Sequence, residues 1–232
     1  MARNKNILFV EGDDDLHVIS KICQIFDVPQ TFGIKIPENK DIVRFDMADE
    51  NVEFEEKGGI NNVLKAAESG LIESSDFTQR LGIVIDADLN LNARWQSVSS
   101  ILSKAGYADL PLLPDANGTI IGQEFLPTFG VWIMPDNKIE KGFLETFLTH
   151  LVPDSENNKT WHQARKCVAE LEHKPFVKKE VDHTEKAEIH TFLAWQKEPG
   201  KPFGQAITAK YLQTDNPNCE SFVNWLKRLF VE

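Results

Sequence analysis

The sequence predicts an α/β fold in which a mostly parallel sheet is flanked by helices and followed by a helical C-terminal extension. Three short apolar runs, at residues 6–10, 81–85 and 130–134, have the pattern of buried central strands. Segments with helical spacing separate these runs, and such alternation of strand and helix is typical of parallel sheets. We therefore predict an α/β domain over residues 1–155 and a helical extension over residues 156–232 that packs on it.

In the first half of the chain, the run at residues 6–10 is followed by a turn at Gly12 and by a helix. The helix is indicated by apolar residues at intervals of three and four over residues 16–26. Residues 31–56 have the pattern of short strands separated by turns. A pair of glycines then breaks the chain before a further predicted helix over residues 60–69.

In the second half, a helix is predicted over residues 92–105, because its apolar residues form one stripe. Residues 110–130 are rich in proline and glycine, which indicates loops with a hairpin around residues 119–122. The next helix is expected over residues 142–151. Beyond residue 160 we expect helices and no strand, with helical spacing over residues 160–172, 183–196, 204–213 and 217–230.

Composition excludes several classes of protein. The chain has 232 residues and a formal net charge of −11, which argues against a broad basic surface for nucleic acid. Its three cysteines form no CxxC pair, which argues against a disulfide scaffold and a zinc knuckle. The apolar run near the start is too short for a signal peptide, and no segment is long enough to span a membrane. We expect a cytoplasmic protein.

Acidic residues follow two of the predicted strands at the point where each strand ends. Glu11 comes directly after the first strand, and Asp86 and Asp88 follow the second. Asp15 lies one helical turn beyond Glu11, and Glu145 lies on the helix that follows the third strand. Because ligands of parallel sheets bind at the carboxyl ends of the strands, these residues are candidates for one site.

Carboxylates that converge on one edge repel each other unless a proton or a cation neutralises them. A hard divalent cation with oxygen ligands, Mg²⁺ or Mn²⁺, is the natural partner for such a group. The alternative interpretation is structural, since Asp13, Asp14 and Asp15 can also cap the N-terminus of the first helix.

Two motifs carry a resemblance to a known family. The stretch ILFVEGDDD with the later GIVIDAD resembles the Toprim domain, which occurs in topoisomerases, bacterial primases, and OLD-type and maturase-type nucleases. The resemblance covers residues 5–150 and implies a Toprim or Rossmann-like sheet. The stretches GVWIMPDN, GFLETFL and KAEIHTFLAWQKEPGKPFGQAI are similar to a stand-alone bacterial Toprim-like family.

The resemblance implies roles for individual residues. Glu11 corresponds to the acid that acts as general acid/base or metal ligand, and Asp86 and Asp88 correspond to the pair that holds Mg²⁺. The nuclease branch adds an acid that matches Asp15 and a later one, for which Glu145 is the candidate. The glycine pair, Gly58 and Gly59, is implied to shape the loop that faces the substrate phosphate.

Two features depart from the family pattern. The segment over residues 31–50 is longer than a minimal Toprim domain needs. The chain has only two tyrosines, Tyr107 and Tyr211, and neither lies in a strand-passage context, which argues against a topoisomerase.

The C-terminal segment contains candidates for stabilising charge in a transition state. Phosphoryl transfer spreads negative charge over the phosphate oxygens, and a cation beside the metal offsets it. Lys186 is flanked by apolar residues on a predicted helix and is the catalytic candidate. Lys201 and Gln205 lie in a loop marked by proline and glycine and are candidates for substrate binding. Each of the three also has an ordinary interpretation as a solvated side chain.

Two hypotheses about function follow. In the first, the chain is a Mg²⁺- or Mn²⁺-dependent phosphodiesterase that acts on DNA or RNA through its acidic residues. In the second, it is a non-catalytic or partner-dependent module for nucleic-acid processing. The chain contains no P-loop motif, whereas OLD-type nucleases carry an ATPase in the same polypeptide. A separately encoded ATPase is therefore a candidate partner.

Overall fold

The computed structural model describes residues 6–37, 59–72, 80–178 and 181–232. The described elements follow in this order along the chain: β1 (Ile7–Phe9), α1 (Asp13–Ile25), β2 (Gly33–Lys35), α2 (Ile60–Ile72), β3 (Arg80–Asp86), α3 (Leu91–Lys104), β4 (Thr119–Ile121), β5 (Thr128–Met134), α4 (Leu144–Thr149), α5 (Lys159–Ala169), β6 (Val177–Lys178), β7 (Val181–Asp182), α6 (Thr184–Ala194), α7 (Phe203–Thr208) and α8 (Pro217–Phe230).

The central sheet has five strands in the order β2-β1-β3-β5-β4. Strand β1 pairs in parallel with β2 and β3, and β3 pairs in parallel with β5. Strand β4 runs antiparallel to β5 at one edge. The predicted fold class, a mostly parallel sheet flanked by helices, is confirmed.

The two faces of the sheet belong to two separate apolar cores. Along β3, Ile83 and Ile85 pack with α2 and α3, whereas Val84 between them packs on the opposite face with α1 and α8. Successive side chains of a strand point to opposite faces, so a strand that is covered on both sides needs apolar residues at every position. This requirement explains why the predicted central strands are continuous apolar runs.

Helix α8 packs closely on the sheet because two glycines face it. Gly82 of β3 and Gly130 of β5 are directly paired neighbours, and Leu229 of α8 lies over both. A Cβ atom at Gly82 would lie 2.8 Å from a methyl carbon of Leu8 and 2.9 Å from one of Leu229. The two glycines therefore form a shallow groove in the sheet that accommodates the helix.

We expect Gly130→Ala to destabilise the fold by about 1–3 kcal/mol, because the added methyl group overlaps the fully buried Leu229. Urea unfolding followed by circular dichroism measures the change. Gly122→Ala is the matched control, since a Cβ atom there meets no other atom within 4 Å. Equal stability of the two variants would contradict the close packing of α8.

The C-terminal segment differs from its prediction in one respect. The four predicted helices are present as α5, α6, α7 and α8, but a two-stranded antiparallel pair, β6 and β7, lies between the first two of them. The expectation that this segment holds no strand is wrong. Strands of two residues are too short to show an alternating pattern in the sequence.

The C-terminal helices contribute to the same core as the first strands. Phe222, Trp225 and Leu229 of α8 belong to one buried cluster with Leu8 of β1 and Trp132 of β5. The division of the chain at residue 155 stays a prediction.

Of the strands expected within residues 31–56, the described part contains β2, and residues 38–56 lie outside the described residues. The hairpin expected around residues 119–122 is present as β4 and its turn into β5. Within the described chain, no helix has the length and the apolar composition that crossing a membrane requires.

Candidate functional site: an acidic cluster between β1 and β3

The strand order places a topological switch point between β1 and β3. The chain leaves β1 toward β2 on one side, and it leaves β3 toward β4 and β5 on the other. In open α/β sheets the crevice at the carboxyl ends of two such strands is the usual place where ligands bind. Glu11 lies two residues beyond the end of β1, and Asp86 is the last residue of β3.

Glu11 connects the two strand ends. Its Oε1 atom accepts a hydrogen bond of 2.8 Å from the backbone N–H of Asp86. Its backbone oxygen accepts a bond of 2.9 Å from the N–H of Gly59, just before α2. Burial raises the pKa of the Glu11 carboxyl, and the N–H groups of Asp86 and Ile60 and the charge of Arg94 partly offset that rise.

Asp15 is buried at the first turn of α1. It is 9% exposed, and its Oδ2 atom accepts a hydrogen bond of 3.1 Å from the N–H of Gly12, as in a capping box. The neighbouring Asp13 and Asp14 are exposed. Burial raises the pKa of the Asp15 carboxyl to about 7, and the charges of Glu11 and Glu145 contribute to this rise.

Asp86 and Glu145 complete a group of four acidic side chains that we call the acidic cluster: Glu11, Asp15, Asp86 and Glu145. Burial raises the pKa of Asp86 well above its ordinary value, and the charges of the other three carboxylates add to the effect. Glu145 lies in the first turn of α4. Three strand-to-helix connections thus bring their acids to one place.

Lys186 of α6 lies beside the acidic cluster. Its Nζ atom is 2.5 Å from Oε1 of Glu145, whose side chain is only 8% exposed, while the lysine side chain is about half exposed at 48%. The structure thus brings together the catalytic candidate of the C-terminal segment and the acids of the sheet edge. The lysine side chain remains accessible from solvent in this ion pair.

Asp88 occupies a different place from the other acids. It has a φ angle of 51°, in the left-handed region, and its backbone exchanges two hydrogen bonds, of 3.0 and 2.9 Å, with Gly142. Its carboxylate forms an ion pair with Arg94 of α3. Ala87 does permit a change of direction between Asp86 and Asp88, but that turn carries the second acid toward α3. A metal-binding role for Asp88 stays a prediction.

The predicted substrate-binding residues lie in two separate regions. Gly59 adjoins the acidic cluster through its bond to Glu11, and Gly58 lies outside the described residues. Lys201 forms an ion pair of 3.0 Å with Glu198. It lines a cleft of about 470 Å³ together with Asp14 of α1 and with residues of α6 and α7.

Gln205 is an exposed residue of α7. The roles of Lys201 and Gln205 in substrate binding stay predictions.

A second cleft, of about 440 Å³, adjoins the acidic cluster, and we call it the Arg94 cleft. Its lining includes Asp88, Arg94, Phe143 and His183. Arg94 is not among the site residues predicted from the sequence. One indication was available, because Arg94 lies in the first turn of a predicted helix, where the helix dipole disfavours a cation unless an acid is nearby.

The acidic cluster has the chemistry of a site for a hard cation. All its donors are carboxylate oxygens, which Mg²⁺ and Mn²⁺ prefer. Burial, together with repulsion between the carboxylates, raises the pKa of Asp15 and Asp86. As placed, no three His, Cys, Asp or Glu side chains in the described ranges have the spacing of a metal site. A cation would therefore require the carboxylates to rotate toward it, and Glu145 to share its charge with Lys186.

One family model matches nearly the whole chain. The model of a family described as a protein of unknown function, DUF3226, matches residues 5–231. Searches of curated proteins and of solved structures found no match. Because the family model spans all the elements of the sheet, the acidic cluster and the C-terminal helices, the chain belongs to the DUF3226 family.

Proposed function

We propose that this chain is a Mg²⁺- or Mn²⁺-dependent enzyme that hydrolyses phosphodiester bonds in DNA or RNA. The observation that carries the proposal is the convergence of four acidic side chains, with Lys186 beside them, at the switch point of the sheet. Phosphodiester hydrolysis needs such a combination of metal-binding carboxylates and a cation near the phosphate. The Toprim resemblance implies the same chemistry, and kinship of DUF3226 with Toprim domains is part of the proposal.

The four carboxylates of the acidic cluster would hold the cation, and Asp88 could join them only by leaving Arg94. A divalent cation bound there would supply Lewis-acid catalysis and a water of lowered pKa. Glu11 is placed to hold or move a proton, because burial raises its pKa toward the range that suits general acid/base catalysis. Lys186 would offset the negative charge that develops on the phosphate oxygens.

The net charge of −11 limits how such an enzyme meets its substrate. A polyanion is repelled by an acidic surface, so binding requires bound cations or a partner that supplies positive charge. A separately encoded ATPase is the partner that the sequence suggests, and the cytoplasm is the compartment.

We expect Glu11→Gln to lower cleavage by at least about 100-fold, because the amide keeps the size of the side chain but can neither bind metal as an anion nor take up a proton. The assay incubates purified protein with single- and double-stranded DNA and with RNA, in Mn²⁺ or Mg²⁺, and follows the products on denaturing gels. Glu124→Gln is the matched control, since Glu124 is exposed in the turn between β4 and β5.

Cleavage that survives Glu11→Gln unchanged would place the activity in a contaminant or at another site. Metal binding without cleavage of any of these substrates would instead favour the partner-dependent module.

A further inference from the structure

The Arg94 cleft is large enough for a small ligand and opens beside the acidic cluster. Its volume of about 440 Å³ falls within the range of sites that bind small molecules. Ala87, in its lining, directly follows Asp86, and the charge of Arg94 reaches Glu11. A ligand in this cleft would therefore lie near the ends of β1 and β3, where Glu11 and Asp86 lie.

Arg94 is the cation of the cleft. Its side chain is 21% exposed, and Asp88 is its acidic partner. A guanidinium has five N–H donors in a planar fork, so one carboxylate leaves donors for a second anion. Phosphate is one anion that this geometry matches, because its oxygens can accept two parallel hydrogen bonds.

The lining of the cleft also contains two aromatic rings, those of Phe143 and His183. The rings of Phe143 and His183 lie 5.2 Å apart at an angle of 56°. A heterocyclic base offers both a flat apolar face and polar edge atoms.

We propose that the Arg94 cleft binds one nucleotide, with its phosphate on Arg94 and its base against Phe143 and His183. This inference deepens the proposed function, because the cleft then holds the nucleotide next to the phosphodiester bond that is cut. The position of the nucleotide beside the scissile bond rests on the proposed function. Binding of the nucleotide to the cleft is independent of the proposed function.

Asp88 competes with the phosphate for Arg94 in this arrangement. The carboxylate and the phosphate are anions for the same guanidinium, so the intramolecular ion pair weakens binding of the ligand. Asparagine tolerates the left-handed backbone of residue 88 and carries no charge. Asp88→Asn should therefore tighten nucleotide binding, which improper folding of a variant would not do.

The experiment is isothermal titration of the full chain with adenosine 5′-monophosphate in EDTA, where no cleavage occurs. We expect binding of the nucleotide, and weaker binding of adenosine and of inorganic phosphate. Arg94→Gln should weaken the affinity for the nucleotide by at least about ten-fold. Asp88→Asn should strengthen it by about three-fold. Arg165→Gln is the matched control. Arg165 of α5 also forms an ion pair with an acid, Glu188 of α6, but it does not line the Arg94 cleft.

The proposal is overturned if the nucleotide does not bind at millimolar concentration, or if Arg94→Gln and Arg165→Gln bind it equally. A short oligonucleotide with the same 5′-phosphate distinguishes the source of the ligand, since tighter binding than that of the monophosphate supports a nucleic-acid strand. Nucleotide binding that depends on Arg94 in a protein that cuts nothing would preserve the cleft assignment and refute the phosphodiesterase. Cleavage of nucleic acid, with no effect of Arg94→Gln on nucleotide binding, would support the phosphodiesterase and refute the cleft assignment.

Discussion

Replacing Asp15 with asparagine should stabilise the metal-free protein at pH 8 by about 4 kcal/mol, although it removes an acid from the candidate site. The pKa of this carboxyl rises from 3.8 to about 7 in the folded protein, and each tenfold change in proton affinity corresponds to about 1.4 kcal/mol. The cause is burial, together with the charges of Glu11 and Glu145. Asparagine has the same shape, can accept the hydrogen bond from Gly12 and cannot ionise.

The pH dependence follows from the direction of this shift. Below pH 3.8 the carboxyl is neutral in both the folded and the unfolded protein, and its contribution to stability is fully present. Between pH 3.8 and about 7 the unfolded chain loses the proton while the folded protein retains it, so this contribution is lost as the pH rises. The advantage of Asp15→Asn should therefore grow across that window and remain constant above it.

Urea unfolding in EDTA at pH 4, 6 and 8 measures this effect. Asp14→Asn is the matched control, because Asp14 lies in the same helical turn and is exposed. Millimolar Mn²⁺ should raise the stability of the parent protein and raise that of Asp15→Asn much less, since a cation stabilises the folded state in proportion to its affinity for it. Equal pH profiles for the two variants would show that Asp15 is not electrostatically strained.

The strands and most of the acidic cluster could be predicted from the sequence for local reasons. A strand that is buried on both faces must be apolar throughout, and an acid directly after it must lie at the sheet edge. Asp86 ends β3 and Glu11 lies two residues beyond β1, so both lie at this edge. Glu145 required one further step, from the end of β5 to the helix that follows it.

The ion pair between Asp88 and Arg94 could not be predicted from the sequence. The direction of the Asp88 side chain depends on a left-handed backbone and on the paired hydrogen bonds with Gly142, a residue more than fifty positions away. Nothing in the local sequence indicates that contact. The position of Arg94 in the site depends in turn on Asp88, whereas the local sequence favours Lys201, which pairs with Glu198 in a separate cleft.

Helix α8 could be predicted from the sequence, but the surface on which it packs could not. The spacing of apolar residues predicts α8 and its apolar face, but the surface that it covers depends on Gly82 and Gly130 of the sheet. Neither glycine marks a turn in the sequence. Both lie inside strands, where a missing side chain indicates the close approach of another element.

A chain that ends at Asn216, and so lacks α8, should not fold cooperatively. The helix buries seven side chains: Cys219, Phe222, Val223, Trp225, Leu226, Leu229 and Phe230. At roughly 1.5–3 kcal/mol for each large apolar side chain, their burial contributes more than about 10 kcal/mol, which is comparable with the whole stability of a typical domain.

Loss of α8 would also expose the face of β3 and β5 that contains Val84 and Trp132, and would break the hydrogen bonds that tie the end of the helix to the sheet. Arg80 donates to the backbone oxygen of Leu229 at 2.6 Å, and Thr31 donates to that of Phe230 at 2.9 Å.

The control is a chain that ends at Phe230, because it loses only the exposed Val231 and Glu232 and keeps both contacts. Near-ultraviolet circular dichroism and thermal melting should show a sharp transition for the control and none for the shorter chain. A cooperative transition in the chain that ends at Asn216 would mean that the first part of the protein folds by itself, as the predicted division at residue 155 implies, and that α8 is an addition to a complete core.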